Sequence, residues 1–363
     1  MRILHTYVLK EHLPPFFATM GALTTALLIG HIIKFAELVI DKGVSLLDIL
    51  RLLIYLTPYL LSFTIPMACL VAMILAFGRL SSDYELIAMR ASGIPPASLV
   101  TPVLTAGLVL SMLLVVMNDR VVPSAHLAFR RQLKAIGMKQ PAAYLEAGTF
   151  IKEFSPYTIY VYQVEGQQMV DVRIYEPQAD GPTRTIIASR GEFESLPDGR
   201  GVQLKLHDGT IDQWDLERPG SFAKVEFRTY SMTLRAERED VQRLKKKLKE
   251  MTLQELVEER RVLAPQGIDT TPMSLELHRR IASSFSVLVF IMFGLALGLR
   301  LHHHERLTGY LWVLGIFLCY YLSNVGMNAV ALKGWLPPWV TMWLPNLIGA
   351  VVAGGMIFRV AKR

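Results

Sequence analysis

The stretch 52–78, LLIYLTPYLLSFTIPMACLVAMILAFG, decides the architecture, because it carries no charge and is long enough to cross a membrane as a helix. A second apolar stretch covers 94–118. Between them lies a short polar segment, Ser81-Ser82-Asp83-Tyr84-Glu85-Leu86-Ile87-Ala88-Met89-Arg90-Ala91-Ser92-Gly93. Ser81 or Ser82 can cap a helix N-terminus, and Asp83 and Glu85 then fall in the first turn, where the helix dipole favours acids. Arg90 falls in the last turn, and Gly93 followed by Pro95 and Pro96 stops the helix. The pattern predicts a helix over 82–93, held between two spans on one side of a membrane. Such a helix is either a handle for a soluble partner or an ordinary helical connector.

Four further stretches meet the same length rule: 14–33, 281–299, 307–332 and 334–358. With 363 residues, 52% hydrophobic and 19% charged, the composition is that of a membrane protein with a sizeable soluble part. Pro58 and Pro66 are tolerable inside a span if neighbouring helices or waters satisfy the freed carbonyls. The first stretch has no clear cleavage site and too long an apolar run for a signal-peptide core, so a retained helix is expected. Cys69 and Cys319 both fall in spans, and the segment between the third and fourth spans has no cysteine to form a disulfide. The chain therefore divides into a membrane half at 1–120, an all-β insert at 121–237, an amphipathic connector at 238–272 and a second membrane half at 273–363.

Lys and Arg in the short loops set the orientation. One side carries Arg2, Lys10, Arg79, Arg90, Arg300, Arg306, Arg359, Lys362 and Arg363; the other carries Lys42, Arg51 and Lys333 outside the insert. The first side is expected to be cytoplasmic, with both termini and the 82–93 helix, and the insert faces the periplasm. The net charge of +7 reflects this anchoring, and no nucleic-acid partner is expected.

Within the insert, 157–162 (YTIYVY) is rich in β-branched and aromatic residues, and 170–175, 185–188, 202–206 and 224–230 continue the pattern. Asp180-Gly181-Pro182, Pro197-Asp198-Gly199 and Asp208-Gly209 are expected turns. About eight short strands suggest a small β-sandwich or jelly-roll. No catalytic constellation emerges from its strand-like part, 142–234, where His207 is the one histidine. After it, Val241, Leu244, Leu248 and Met251 follow a helical spacing, and Thr252 with Glu255 forms a capping box that starts a second helix.

Charge near membrane depth marks either function or an interfacial anchor. Lys34 and Glu37 share one face of the first span, and Arg279 and Arg280 precede the fourth span against the charge bias. With Lys42 they form the candidate set for an anionic lipid headgroup. The His302-His303-His304 run cannot turn all three rings to one ion on a regular helix, so no metal site is expected. No G-x-x-x-x-G-K-[ST] motif occurs, so any ATP hydrolysis belongs to a partner.

The chain resembles the lipopolysaccharide export permeases of the LptF/LptG (YjgP/YjgQ) family along nearly its whole length. The resemblance rests on the opening Met1-Arg2-Ile3-Leu4-His5-Thr6-Tyr7-Val8-Leu9-Lys10-Glu11, on Gly78-Arg79-Leu80 leading into the 81–93 segment, and on Glu276-Leu277-His278-Arg279-Arg280. The three-plus-three layout around a β-rich insert agrees, and the opening and the 81–93 segment lean toward the LptF branch. The resemblance implies an α-helical membrane protein of six spans with a periplasmic jelly-roll-like domain. It also implies a pair with a sister permease subunit, an LptB-type ATPase dimer that supplies the ATP chemistry, an LptC-type accessory protein and an LptA-type periplasmic bridge. The short cytoplasmic helix then couples to the ATPase through Asp83, Tyr84, Glu85, Met89, Arg90 and Gly93, with Glu85 the matching acid. Lys34 occupies a place comparable to the family's glycolipid-contacting basic residues. No cofactor of the chain's own is implied.

Two other classes stand beside this expectation. One is a permease of similar build for another lipid or a lipoprotein. The other is a membrane-embedded lipid-modifying enzyme, which would need convergent His, Asp or Glu residues inside the spans. A scaffold without transport would leave the charged first span and the short polar helix without a role.

Overall fold

Each apolar stretch becomes part of a long helix. The computed structural model describes residues 2–40, 43–139, 147–151, 156–165, 168–178, 181–195, 201–214, 222–235, 246–300 and 306–361. Helices α1 (Arg2–Ile40) and α2 (Leu46–Ser82) are followed by the short α3 (Glu85–Ala91). Next, α4 (Pro96–Val116) runs through a π-helical turn, Met117–Val121, into α5 (Val122–Lys139). After the β-strands come α6 (Leu253–Leu263), α7 (Thr271–Gly298), α8 (Arg306–Leu332) and α9 (Pro338–Ala361). Six of these segments, counting α4 through α5 as one, are long and apolar enough to span a membrane, three on each side of the insert.

The chain folds as two units, one of residues 1–30, 54–127 and 246–363, the other of 31–53 and 128–245. In the first, α2 and α7 are the central helices: 72% and 67% of their most apolar windows are buried, against 6% for α8. Ile65, Cys69, Met73, Phe77 and Leu80 of α2 pack with Leu99 and Val103 of α4 and with Val287, Ile291 and Leu295 of α7. Small residues allow the close approach. A Cβ on Gly294 would sit 2.5 Å from Met73 Cβ and 2.8 Å from the Leu70 carbonyl, and one on Gly298 would sit 2.9 Å from Phe77 Cβ.

In the second unit, Phe35, Val44, Ile49, Leu52 and Ile136 form a helical core, and Gln132 Nε2 donates to Asp48 Oδ1 at 2.8 Å. The insert is all-β from Thr149 on; its expected start at 121 is instead helical, because Val122–Lys139 continues the third span as α5. Its described strands are β1 (Thr149–Ile151), β2 (Thr158–Glu165), β3 (Gln168–Gln178), β4 (Gly181–Ser195), β5 (Gly201–Trp214) and β6 (Phe222–Arg235). They form one antiparallel sheet in chain order, six strands where eight short ones with sandwich or jelly-roll connections were expected. The expected Asp208-Gly209 turn lies inside β5, which runs on to Trp214.

The physical reason is a crease. Asp171 (φ 52°) and Asp208 (φ 50°) both have left-handed backbone, a conformation Asp tolerates better than most residues. Pairs on either side, Val161 with Val172 and Gln163 with Val170, put Tyr162 opposite Asp171. By the same count Asp171 faces Ser189, Ser189 faces Asp208, and Asp208 faces Arg228. One line thus crosses five strands. The buried alternation shifts by one residue at that line: Met169 then Val172 in β3, Ala188 then Gly191 in β4, Leu206 then Ile211 in β5. An unbroken strand would turn the second half of each set outward. The shift lets residues from both halves share one core, Ile159, Met169, Ile174, Ile186, Leu204 and Leu234 among them.

Of the expected helix after the insert, Val241 and Leu244 lie outside the described residues. Leu248–Glu250 is a single 3₁₀ turn, and Met251 is extended, so the helical spacing of Leu248 and Met251 does not make a continuous helix. Thr252 caps α6 as expected: its Oγ accepts from Glu255 N at 3.2 Å, and Glu255 Oε2 accepts from Thr252 N at 2.8 Å.

Candidate functional site

The α2–α3 elbow differs from its sequence reading in one respect. Ser81 and Ser82 belong to the end of α2, where Ser82 Oγ donates back to the Gly78 carbonyl at 2.8 Å. Asp83 and Tyr84 make the turn, with Tyr84 left-handed at φ 59°, so α3 begins at Glu85 rather than at residue 82. The stop is where Gly93 was expected to put it. Gly93 has φ 79°, and Ile94 N donates to the Met89 carbonyl at 3.1 Å, the long return bond of a Schellman ending.

Leu86 and Met89 anchor α3, packing in the cluster that holds Leu80 and Leu99. Tyr84 and Ile87 stay 71% and 60% exposed, so the helix is fastened by one side and offers the other. Glu85 accepts a hydrogen bond from Tyr7 OH at 2.7 Å. Arg79 pairs with Glu11 of α1 and reaches Asp83 Oδ2 at 3.4 Å. Three acids therefore meet one base in this cluster, and Glu85 has no ion-pair partner among the described residues.

A second feature is a largely apolar cleft of about 480 Å³, with several polar groups in its wall, lined by α2, the π-helical turn, α5, α7, α8 and α9. Asn118 sits in the π-helical turn, accepts from Ser62 Oγ at 2.7 Å and donates to Ser284 Oγ at 2.9 Å. Such a bridge ties three spans together through side-chain hydrogen bonds. Tyr320 OH donates to Asn346 Oδ1 at 2.8 Å, and Asn346 Nδ2 donates to the Ala282 carbonyl at 2.6 Å. Glu276 accepts from both Arg279, at 2.7 and 2.8 Å, and Arg280, at 2.8 Å. One carboxylate against two guanidinium groups leaves this wall net positive.

The family model described as the lipopolysaccharide export system permease LptF/LptG matches residues 6–359, nearly the whole chain. The chain belongs to the LptF/LptG family. The uncharacterized protein RP871 of Rickettsia prowazekii (strain Madrid E) is 24% identical over 217 residues, which is 59% of this chain and 59% of the relative. The match thus spans less than two thirds of that relative's length. LptF/LptG proteins are permeases, and six helices of membrane-spanning length make this one a multi-pass membrane protein.

In this LptF/LptG chain the expected coupling residues share one elbow, though not one face. Asp83, Tyr84 and Gly93 are exposed, Glu85 is half-buried, and Met89 turns inward. Arg90 belongs to α3, and its side chain lies outside the described residues. Of the headgroup set, Lys34 and Glu37 lie on α1 in one unit, and Arg279 and Arg280 lie on α7 in the other. Lys34 and Glu37 are both exposed and form no ion pair with each other among the described residues. Lys42 lies outside the described residues, as do His302, His303 and His304. Arg279 lines the cleft with a side chain 39% exposed. Arg280 is buried, and its donors go to Glu276, to the Met251 carbonyl at 2.6 Å and to the Leu248 carbonyl at 2.8 Å. It fastens the connector to α7. Asp119 Oδ1 makes a second fastening by accepting from Leu253 N at 2.6 Å.

Sequence reasoning passed over Tyr7, Glu11, Asn118 and Asp119. A signal existed for each pair. Tyr7 and Glu11 are one turn apart on α1, and Asn118-Asp119 is a polar pair at the end of an apolar run.

Proposed function

We propose that this chain is one membrane subunit of a lipopolysaccharide exporter in the inner membrane of a Gram-negative bacterium. It pairs with a sister permease, its elbow faces the cytoplasm, and its β insert lies in the periplasm, passing the lipid toward an LptA-type bridge with an LptC-type accessory protein. An LptB-type ATPase dimer binds the α3 elbow and supplies the energy. The observation that carries this reading is the build of α3 in a chain of this family. Leu86 and Met89 lock it to the permease, while Glu85, an acid with no ion-pair partner among the described residues, and the exposed Tyr84 and Ile87 remain for a soluble protein. Arg279 at the net-positive wall of the cleft is the group for the anionic headgroup, and Lys34, exposed on α1, is a separate candidate contact for the lipid. Arg280 is reserved for structure by its internal partners.

Truncating one member of a buried charged contact costs about 2–5 kcal/mol. Glu85→Ala is therefore expected to weaken ATPase binding at least tenfold, or to lower the lipid exported per ATP, in complexes reconstituted in liposomes. Normal binding together with normal export would refute the coupling role. Arg279→Gln is expected to reduce lipopolysaccharide crosslinking while assembly with the ATPase is kept.

A further inference from the structure

We propose that Tyr7 is a positioning residue for Glu85, and that the start of α1 is thereby part of the surface that the ATP-hydrolysing partner engages. The inference rests on the coupling role given to α3 above.

A carboxylate has about four acceptor positions. Tyr7 OH fills one of them on Glu85 at 2.7 Å, across 78 residues of chain. Because the phenol is neutral, this bond fixes the direction of the carboxylate without cancelling its charge. A lysine or arginine in the same place would neutralise the group a basic partner is to meet. Asp83 is treated differently: Arg79 lies 3.4 Å from it and also pairs with Glu11. The two acids of the elbow are thus separated in role, Asp83 facing a guanidinium and Glu85 held by a neutral donor. Arg79 ties the α1 residue Glu11 to the same turn, so two bonds join α1 to the elbow. Tyr7 keeps 36% of its surface exposed and stands beside the acid it holds.

The test uses the full complex reconstituted in liposomes, with ATPase affinity and lipid released per ATP as readouts. The variants are Tyr7→Phe, Glu85→Ala and the double substitution. A lost charge-assisted hydrogen bond at a partly exposed site predicts a loss of about three- to tenfold in affinity for Tyr7→Phe. Unfolding temperature is expected to stay unchanged. The double variant is expected to be no weaker than Glu85→Ala, since Tyr7 acts only through that carboxylate. Wild-type values for Tyr7→Phe while Glu85→Ala is impaired would overturn the positioning role and leave the coupling role standing. Losses that multiply in the double variant would do the same. A harmless Glu85→Ala would overturn both.

Discussion

Asp171 and Asp208 lie on one line across the β-sheet, two strands apart with Ser189 between them, and each carries left-handed backbone at φ 52° and 50°. Ser189 Oγ donates to the Asp208 carbonyl at 2.9 Å and braces the line between the two kinks. This alignment lets strands of 14 and 15 residues serve one core from both halves.

Asp208 is exposed, so its replacement probes the backbone rather than packing. Asp208→Val forces a β-branched residue into the left-handed region and is expected to cost about 1–2 kcal/mol. Asp208→Gly, which adopts positive φ freely, is expected to be near neutral. Amide hydrogen exchange of β4 and β5 in the full chain reads the difference, and equal protection in both variants would count against the crease.

Gly294 tests the α2–α7 crossing. Gly294→Ala places a methyl group against Met73 Cβ and the Leu70 backbone, neither of which is a flexible end, and is expected to destabilise by about 1–3 kcal/mol. Gly355→Ala, where nothing lies within 4 Å, is the control, expected to be neutral or to gain from better helix propensity. Thermal unfolding of the detergent-solubilised protein distinguishes them. A Gly294→Ala protein as stable as the Gly355→Ala control would mean that the helices do not meet so closely.

Much of the architecture was legible because membrane spans are written locally. A run such as 52–78 needs no distant partner to be recognised, and neither does the Gly93 stop or the Thr252–Glu255 box. The strand count was not legible, because Asp208-Gly209 carries the composition of a turn while its neighbours pair on both sides as strand. The start of α3 was misplaced because Ser81 and Ser82 suit an N-cap, whereas their backbone continues α2 and Tyr84 takes the turn. Arg280 looked like Arg279 in sequence; only the fold brings Leu248 and Met251 to its guanidinium. Tyr7 and Glu85, 78 residues apart, had no local signal joining them.

The connector predicts a pH effect. Lys246 bonds the Glu255 carboxylate and the Thr252 backbone N–H donates to it, and together they hold its carboxyl below the ordinary carboxylate range. A depressed folded-state pKa means that the cap stabilises α6 fully above the unfolded carboxylate range. That stability is lost as pH falls through the depressed value. Exchange of the first-turn amides of α6 is expected to speed up with acidification beyond its intrinsic pH dependence. Glu255→Gln is expected to flatten that response, and an unchanged response would remove the ion pair from the account.

The docking of a soluble ATPase on α3 is the central claim, and Ile87 reports on it most directly, being 60% exposed between the anchoring Leu86 and Ala88. A photo-crosslinking amino acid at position 87, activated in intact membranes, is predicted to capture the ATPase subunit. Capture should be lost when that subunit is depleted, and the same position should resist an impermeant reagent added from outside the cell. Labelling from outside with no ATPase adduct would contradict both the orientation and the docking.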